Sequence, residues 1–294
     1  MKMEMEMEAF YLVTTEHLTD RLWFRNEDDF KAGMNTVAVV KHLTGIDVLS
    51  FILMSNHVHF VLCGTRERAE HFIFEIKRHY AAYLQKKYGF KEYLRRNQID
   101  IQKVWREDES LERAIAYVQM NSVAANICLH ASAYPWGTGD AFFNLTTPQG
   151  VRLGELSKRA RMRQLQSKSD LPAGWISGND GYILPRSYVP TQFVESIFRT
   201  PNRLNYFLQN SSKAKRRTQA EGSALPTFRD QSILNAIPDL CQSLFRKGNI
   251  DELTPTQQSE LVKQVKRRFS ADINQIGRIV GLSYAETARL LDSL

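Results

Sequence analysis

The chain has 294 residues, 43% hydrophobic and 24% charged, a balance that excludes a disordered or fibrous protein. Thirty-nine Lys and Arg against 32 Asp and Glu leave a net charge of +7, which favours a polyanionic partner, nucleic acid before a membrane surface. Three cysteines without paired spacing, Cys63, Cys128 and Cys241, exclude a disulfide framework and a cysteine-held zinc site.

The opening MKMEMEMEAF lacks the apolar stretch of a signal peptide, and no apolar run is long enough to span a bilayer, so a cytoplasmic location is expected. Phe10 to Thr15 reads as a first strand, followed by a polar turn and Leu22 to Phe24. Asn26 can cap a helix whose first turn holds Asp28 and Asp29, suited to the positive end of the helix dipole. That helix runs to about Leu43 and ends at Gly45. Ile46 to Met54 and His57 to Cys63 read as two strands joined by the tight turn Ser55-Asn56.

The second of these strands carries His57 and His59. Residues two apart on a strand project from the same side, so both imidazoles face one way while Val58 and Phe60 face the other. Two readings are open: a structural pair, or two nitrogen ligands for a divalent metal.

Thr65 to Tyr88 has helical period, with Ala69, Phe72, Ile73, Ile76 and Tyr80 on one stripe. Its other face carries Lys77, Arg78, Lys86 and Lys87, and Lys91, Arg95, Arg96, Lys103 and Arg106 follow. Such a face is either simply solvated or used to bind a phosphate backbone. A helix is expected over Ser110 to Leu129, with Ser110 as its cap. Tyr117 and Asn121 lie four apart on one face of it. Tyr117 is there either a core-edge residue with a wet hydroxyl or a nucleophile.

After Pro148 the composition shifts. Residues 151–168 are basic and helical in pattern, 169–190 are loop-like, and helices are expected over Gln192 to Phe198 and Asn202 to Gln209. Ser211 to Ser223 reads as a basic linker. Thr254-Pro255 with Gln257, and Ser283 with Glu286, are capping boxes. Helices from Thr254, over Ile273 to Val280, and over Tyr284 to Leu294 with the turn at Gly281 have the helix-turn-helix signature, as well as that of a plain three-helix bundle. The last helix offers Arg289 as its cation.

Taken together, MSNHVHFVL at 54–62, YVQMNSVAANI at 117–127, YPWGTG at 134–139 and FYLVTTEHLTDRLWF at 10–24 resemble the single-tyrosine HUH transposases, in particular the REP-associated tyrosine transposases. The match covers about residues 9–143. Ser122 and Ala125 stand where the family has Pro and Arg, which removes a phosphate or structural contact and no catalytic group.

The resemblance implies an α+β fold, a ferredoxin-like antiparallel sheet with helices on one face over residues 1–148. A basic connecting region over 149–222 and a helical C-terminal region over 223–294 would follow, with the helix-turn-helix at about 254–294. It implies Tyr117 as nucleophile, and His57, His59 and Asn121 as ligands of Mg²⁺ or Mn²⁺. It further implies single-stranded or hairpin DNA as partner and strand cleavage through a 5′-phosphotyrosine. A monomer is expected, and a tail that is a separate unit holding none of the four catalytic groups. A rolling-circle initiator or relaxase, and a DNA-binding regulator with an inert nuclease domain, are the alternatives.

Overall fold

The computed structural model describes residues 9–18, 21–94, 96–125, 127–211, 230–269 and 271–292. Four strands, β1 (Ala9–Thr15), β2 (Asp47–Met54), β3 (His57–Gly64) and β4 (Ile99–Val104), form an antiparallel sheet in the order β2-β3-β1-β4. Helix α1 (Glu27–Thr44) joins β1 to β2, and α2 (Arg66–Tyr88) joins β3 to β4. The succession strand, helix, strand, strand, helix, strand with this order is the ferredoxin-like arrangement.

Local chemistry sets the helix ends. The Asn26 side chain accepts from the Asp29 N–H at 3.1 Å, and Gly45 takes the left-handed conformation with its N–H on the Lys41 carbonyl. Thr65 and Gly89 do the same for α2. Strand β4 has no counterpart in the expected elements. IDIQKV is a short edge strand, almost wholly exposed, whose acid, amide and lysine block further pairing and erase the apolar signal.

Helices cover both faces of the sheet rather than one. Phe60 meets Phe72 of α2 edge to face at 5.1 Å, while His59 meets Tyr117 of α3 (Ser110–Gln119) on the opposite side. With both faces covered, β3 is buried along nearly its whole length, as its continuous apolar run suggests. Phe60→Ala is expected to lower the unfolding free energy by about 3–5 kcal/mol, read as a lower urea midpoint at unchanged slope.

The expected helix from Ser110 to Leu129 is broken. It ends at Gln119, and α4 (Asn121–Ala124) follows after Met120. Glu109, not Ser110, stands at the cap position, because the Ser110 hydroxyl is taken by the backbone of Trp105. The outer edge of β2 is closed by the segment 134–138. The Leu53 N–H donates to the Trp136 carbonyl at 2.8 Å, and the Thr138 N–H to the Phe51 carbonyl at 3.0 Å. Gly137 is needed there, since a Cβ would lie 2.5 Å from the Phe51 carbonyl oxygen.

Of the basic stretch 151–168, only α5 (Lys158–Leu165) is α-helical; β5 (Gly150–Arg152) instead pairs with β6 (Ile176–Gly178). Helices α6 (Thr191–Phe198) and α7 (Pro201–Asn210) form as expected. One apolar core runs from Tyr11 through Phe207, taking in Leu153, Ile183 and Phe198.

A second core, from Ile233 to Ile279, joins α8 (Asp230–Phe245), α9 (Pro255–Phe269) and α10 (Ile273–Val280), with Leu290 and Leu291 of α11 (Tyr284–Asp292) packed against it. Both capping boxes are made: Thr254 N–H to Gln257 Oε1 at 3.0 Å, and Ser283 N–H to Glu286 Oε2 at 2.9 Å. The basic linker expected after Ser211 lies outside the described residues. Among the described residues no helix is long and apolar enough to cross a membrane.

Candidate active site

Strand pairing builds the site at one end of the sheet. His59 lies opposite Thr14 of β1, and its Nδ1 is 3.0 Å from the Thr14 hydroxyl. The His57 Nδ1 is 2.9 Å from Asn56 Oδ1. An amide oxygen only accepts, so this contact puts the ring proton of His57 on Nδ1 and the lone pair on Nε2. The Nε2 atoms of both rings are buried.

A third imidazole joins them. His17, two residues beyond β1, stacks on His57 with ring centroids 3.7 Å apart and planes 14° apart. Ligand atoms of His17, His57 and His59 all lie within 4.8 Å of one another. His17 is held there because the Leu18 N–H donates to the Asn56 carbonyl and the Asn56 amide donates to the Leu18 carbonyl. His17 was not among the residues expected from the sequence. The only trace is its place just past the first strand, and it is informative only once β1 is known to pair with β3.

These residues suit a divalent metal. Three imidazole nitrogens converge, and two of the rings are oriented by hydrogen bonds from behind, as ligand histidines are. The Tyr117 ring meets His59 edge to face, with centroids 5.5 Å apart and planes at 87°. Asn121 is buried one turn further on and donates from its amide to the carbonyls of Tyr117, at 2.8 Å, and Val118, at 3.2 Å. With the amide hydrogens committed to the end of α3, Oδ1 is the atom it offers to the pocket that Asn121, His17 and His57 line together.

The expected DNA-binding cations are spread over the molecule. The Glu16 N–H donates to the Gln98 carbonyl at 2.9 Å, which ties the segment just after Arg96 to the residue before His17. Lys77 donates to the Asn97 carbonyl nearby, and burial lowers its ammonium pKa. Arg78 pairs with Glu75. Lys87 lies 2.7 Å from the buried Asp29. Burial opposes its charge, yet hydrogen bonds to Asp29, Tyr83 and Tyr88 hold its ammonium well above the usual lysine range. Lys86 is exposed and shares a groove with Arg163 of α5. Lys103, 4.2 Å over the Trp105 ring, and Arg106, over Phe193, belong to the far end of β4. Arg289 is exposed on α11, and Arg95 lies outside the described residues.

Two further cations border the hairpin turn. Leu18 and Phe24 are both tied to the turn, Leu18 through its bonds with Asn56 and Phe24 through its N–H on the Ser55 carbonyl. Arg25 lies over the rings of Tyr88 and Phe90, and Arg21 over that of Tyr93. Arginine against aromatic rings is a surface that suits unstacked bases.

No family model and no curated protein matches the chain. Among solved structures, the chain is similar to a REP-associated tyrosine transposase bound to a REP hairpin. The two are 13% identical with a TM-score of 0.35, over 59% of this chain and 96% of that one.

Proposed function

We propose that the chain is a metal-dependent enzyme that nicks and rejoins single-stranded DNA near hairpins through a covalent tyrosine intermediate. The observation that carries this reading is the Tyr117 ring packed against one member of a three-histidine cluster with metal-ligand spacing. The motifs around His57, His59, Tyr117 and Asn121 resemble those of the single-tyrosine HUH transposases at these positions, which supports it. His17 is added to the ligand set implied by that resemblance.

In this reading His17, His57 and His59 hold the cation, and Asn121 offers its amide oxygen from the helix. When bound, a divalent cation supplies Lewis acidity and positive charge to a non-bridging oxygen of the scissile phosphate. The Tyr117 oxygen attacks phosphorus, so a Tyr117 O–P bond forms and the P–O3′ bond breaks. The phenol loses its proton and the departing 3′ oxygen gains one, which leaves a 5′-phosphotyrosine and a free 3′-hydroxyl. The phosphodiester energy is kept, so a 3′-hydroxyl can reverse the step and join strands. Arg96, Arg21 and Arg25 would serve an entering strand, with charge for its phosphates and, at Arg21 and Arg25, aromatic rings for its bases.

The test is incubation of the chain with Mn²⁺ and a 5′- or 3′-labelled hairpin oligonucleotide with single-stranded flanks, followed by denaturing electrophoresis. A protein–DNA adduct carrying the 3′-side fragment is expected. Hairpin binding with no adduct and no nick would leave a DNA-binding regulator as the reading.

Three imidazoles also bear on the metal. Nitrogen donors favour first-row transition metals over Mg²⁺, which prefers oxygen. Mn²⁺ is therefore expected to bind at least about tenfold more tightly than Mg²⁺ in a calorimetric titration. Equal affinities would argue that His17 is not a ligand.

A further inference from the structure

A pocket of about 310 Å³ lies between the hairpin turn and the C-terminal helices. One wall holds His17, His57 and Asn121; the other holds α10, with Asp272 at its N-cap, Gln275 in its first turn and Arg278 in its last. The tail holds none of the four groups named for the chemistry, and its residues line the same pocket as His17 and His57.

The contact is built around one buried carboxylate. Asp230, 5% exposed, accepts from the Ser55 hydroxyl at 2.8 Å, from the Gln275 amide at 2.7 Å and from Arg278 Nε at 3.3 Å. Beside it the Gln231 amide donates to the Phe24 carbonyl at 2.8 Å. A buried carboxylate is tolerated only when its oxygens are hydrogen-bonded, and here the donors come from the β2–β3 turn and from α10. Asp230 therefore positions α10 against the turn that carries His57.

We propose that this pocket is a nucleobase subsite: it takes one unstacked base next to the scissile phosphate, and α10 reads the base edge. The inference rests on the DNA-nicking reading above. Three observations give the pocket its occupant. Its size is at the lower end of the range for ligand sites, about 300 Å³ and upward, and suits one base rather than a duplex. Its α10 side carries the exposed Asp272, a carboxylate that can accept from an exocyclic amine, while the charge of Arg278 is held by Asp230, so the base belongs at the α10 end and the phosphate at the histidine end. Tyr134 and Trp136, buried at 4% and 6% exposure, add aromatic surface to the lining. A base bearing an amine (adenine, cytosine or guanine) is therefore preferred to thymine at one position of the strand.

The experiment uses the full chain with Mn²⁺ and short fluorescent single-stranded oligonucleotides that differ by one base at each position in turn. Binding is read by anisotropy and nicking on gels in parallel. The wild type should prefer an amine-bearing base at one position by about fivefold or more. Asp272→Asn, which keeps an oxygen for the helix cap, and Arg278→Gln should each flatten that preference while leaving Mn²⁺ affinity within about twofold. A wild type with no positional preference, or variants that stay folded by circular dichroism and keep it unchanged, would overturn the subsite. A positional preference lost in the variants, in a protein that never nicks, would uphold the pocket and sink the nicking reading instead.

Discussion

Tyr117→Phe is expected to abolish strand cleavage, lowering the rate by about 10⁴-fold or more, while hairpin binding stays within a few fold of wild type. The change removes one oxygen. The ring that packs edge to face on His59 is retained, and Tyr117 is half-buried against the core, so the helix and its contacts should persist. Loss of a nucleophile differs from loss of a binding group in that the adduct disappears and affinity does not. Labelled hairpin DNA, a denaturing gel for the adduct and an anisotropy titration for binding separate the two effects. Undiminished nicking by the variant would remove Tyr117 from the mechanism.

His57→Ala and His59→Ala are expected to lower Mn²⁺ affinity at least about 100-fold each and to remove metal-dependent nicking, since each deletes a nitrogen from a site of few ligands. The three-histidine cluster adds an order to this expectation. His17→Ala should cost less than either strand histidine, because its ring is exposed and can be replaced by water, whereas His57 and His59 are held from behind by Asn56 and Thr14. Asn121→Ala should cost least in metal affinity. Its amide also ties down the end of α3, so it should in addition loosen the turn that presents Tyr117. Asn121→Asp should raise metal affinity and hold or slow the chemical step, because a carboxylate reduces the Lewis acidity of the ion. Calorimetric Mn²⁺ titrations of the variants, each checked for folding by circular dichroism, measure the series. Wild-type affinity in both strand variants would make the His-x-His pair a structural feature.

What could be read in the sequence shares one property: the interacting residues are close along the chain. Asn26 caps α1 through a residue three positions on, and the Thr254–Gln257 and Ser283–Glu286 boxes have the same spacing. His57 and His59 share a face because strand side chains alternate. Tyr117 and Asn121 were expected on one helical face; the helix breaks between them, yet the Asn121 amide still reaches the Tyr117 carbonyl four residues back. The break itself was not legible, because it depends on where the Asn121 side chain puts its hydrogen bonds and not on any helix-breaking residue. Strand β4 was missed for another reason: an edge strand buries little, so selection for solubility leaves it polar.

By itself, then, the sequence determined the sheet-forming strands with a core face, most helix ends, and the pairs His57–His59 and Tyr117–Asn121. These follow from backbone period and short-range hydrogen bonding. Only the tertiary structure decided which pairs meet. The Thr14 hydroxyl reaches His59 across 45 residues of chain, His17 is carried to the same place by the pairing of β1 with β3, and Asp230 reaches Ser55 across 175 residues. Contacts of that separation arise from strand order and, for Asp230, from polar bonds between the tail and the β2–β3 turn. Hydrophobic pattern specifies that apolar surfaces must be covered, but not which distant segment covers them.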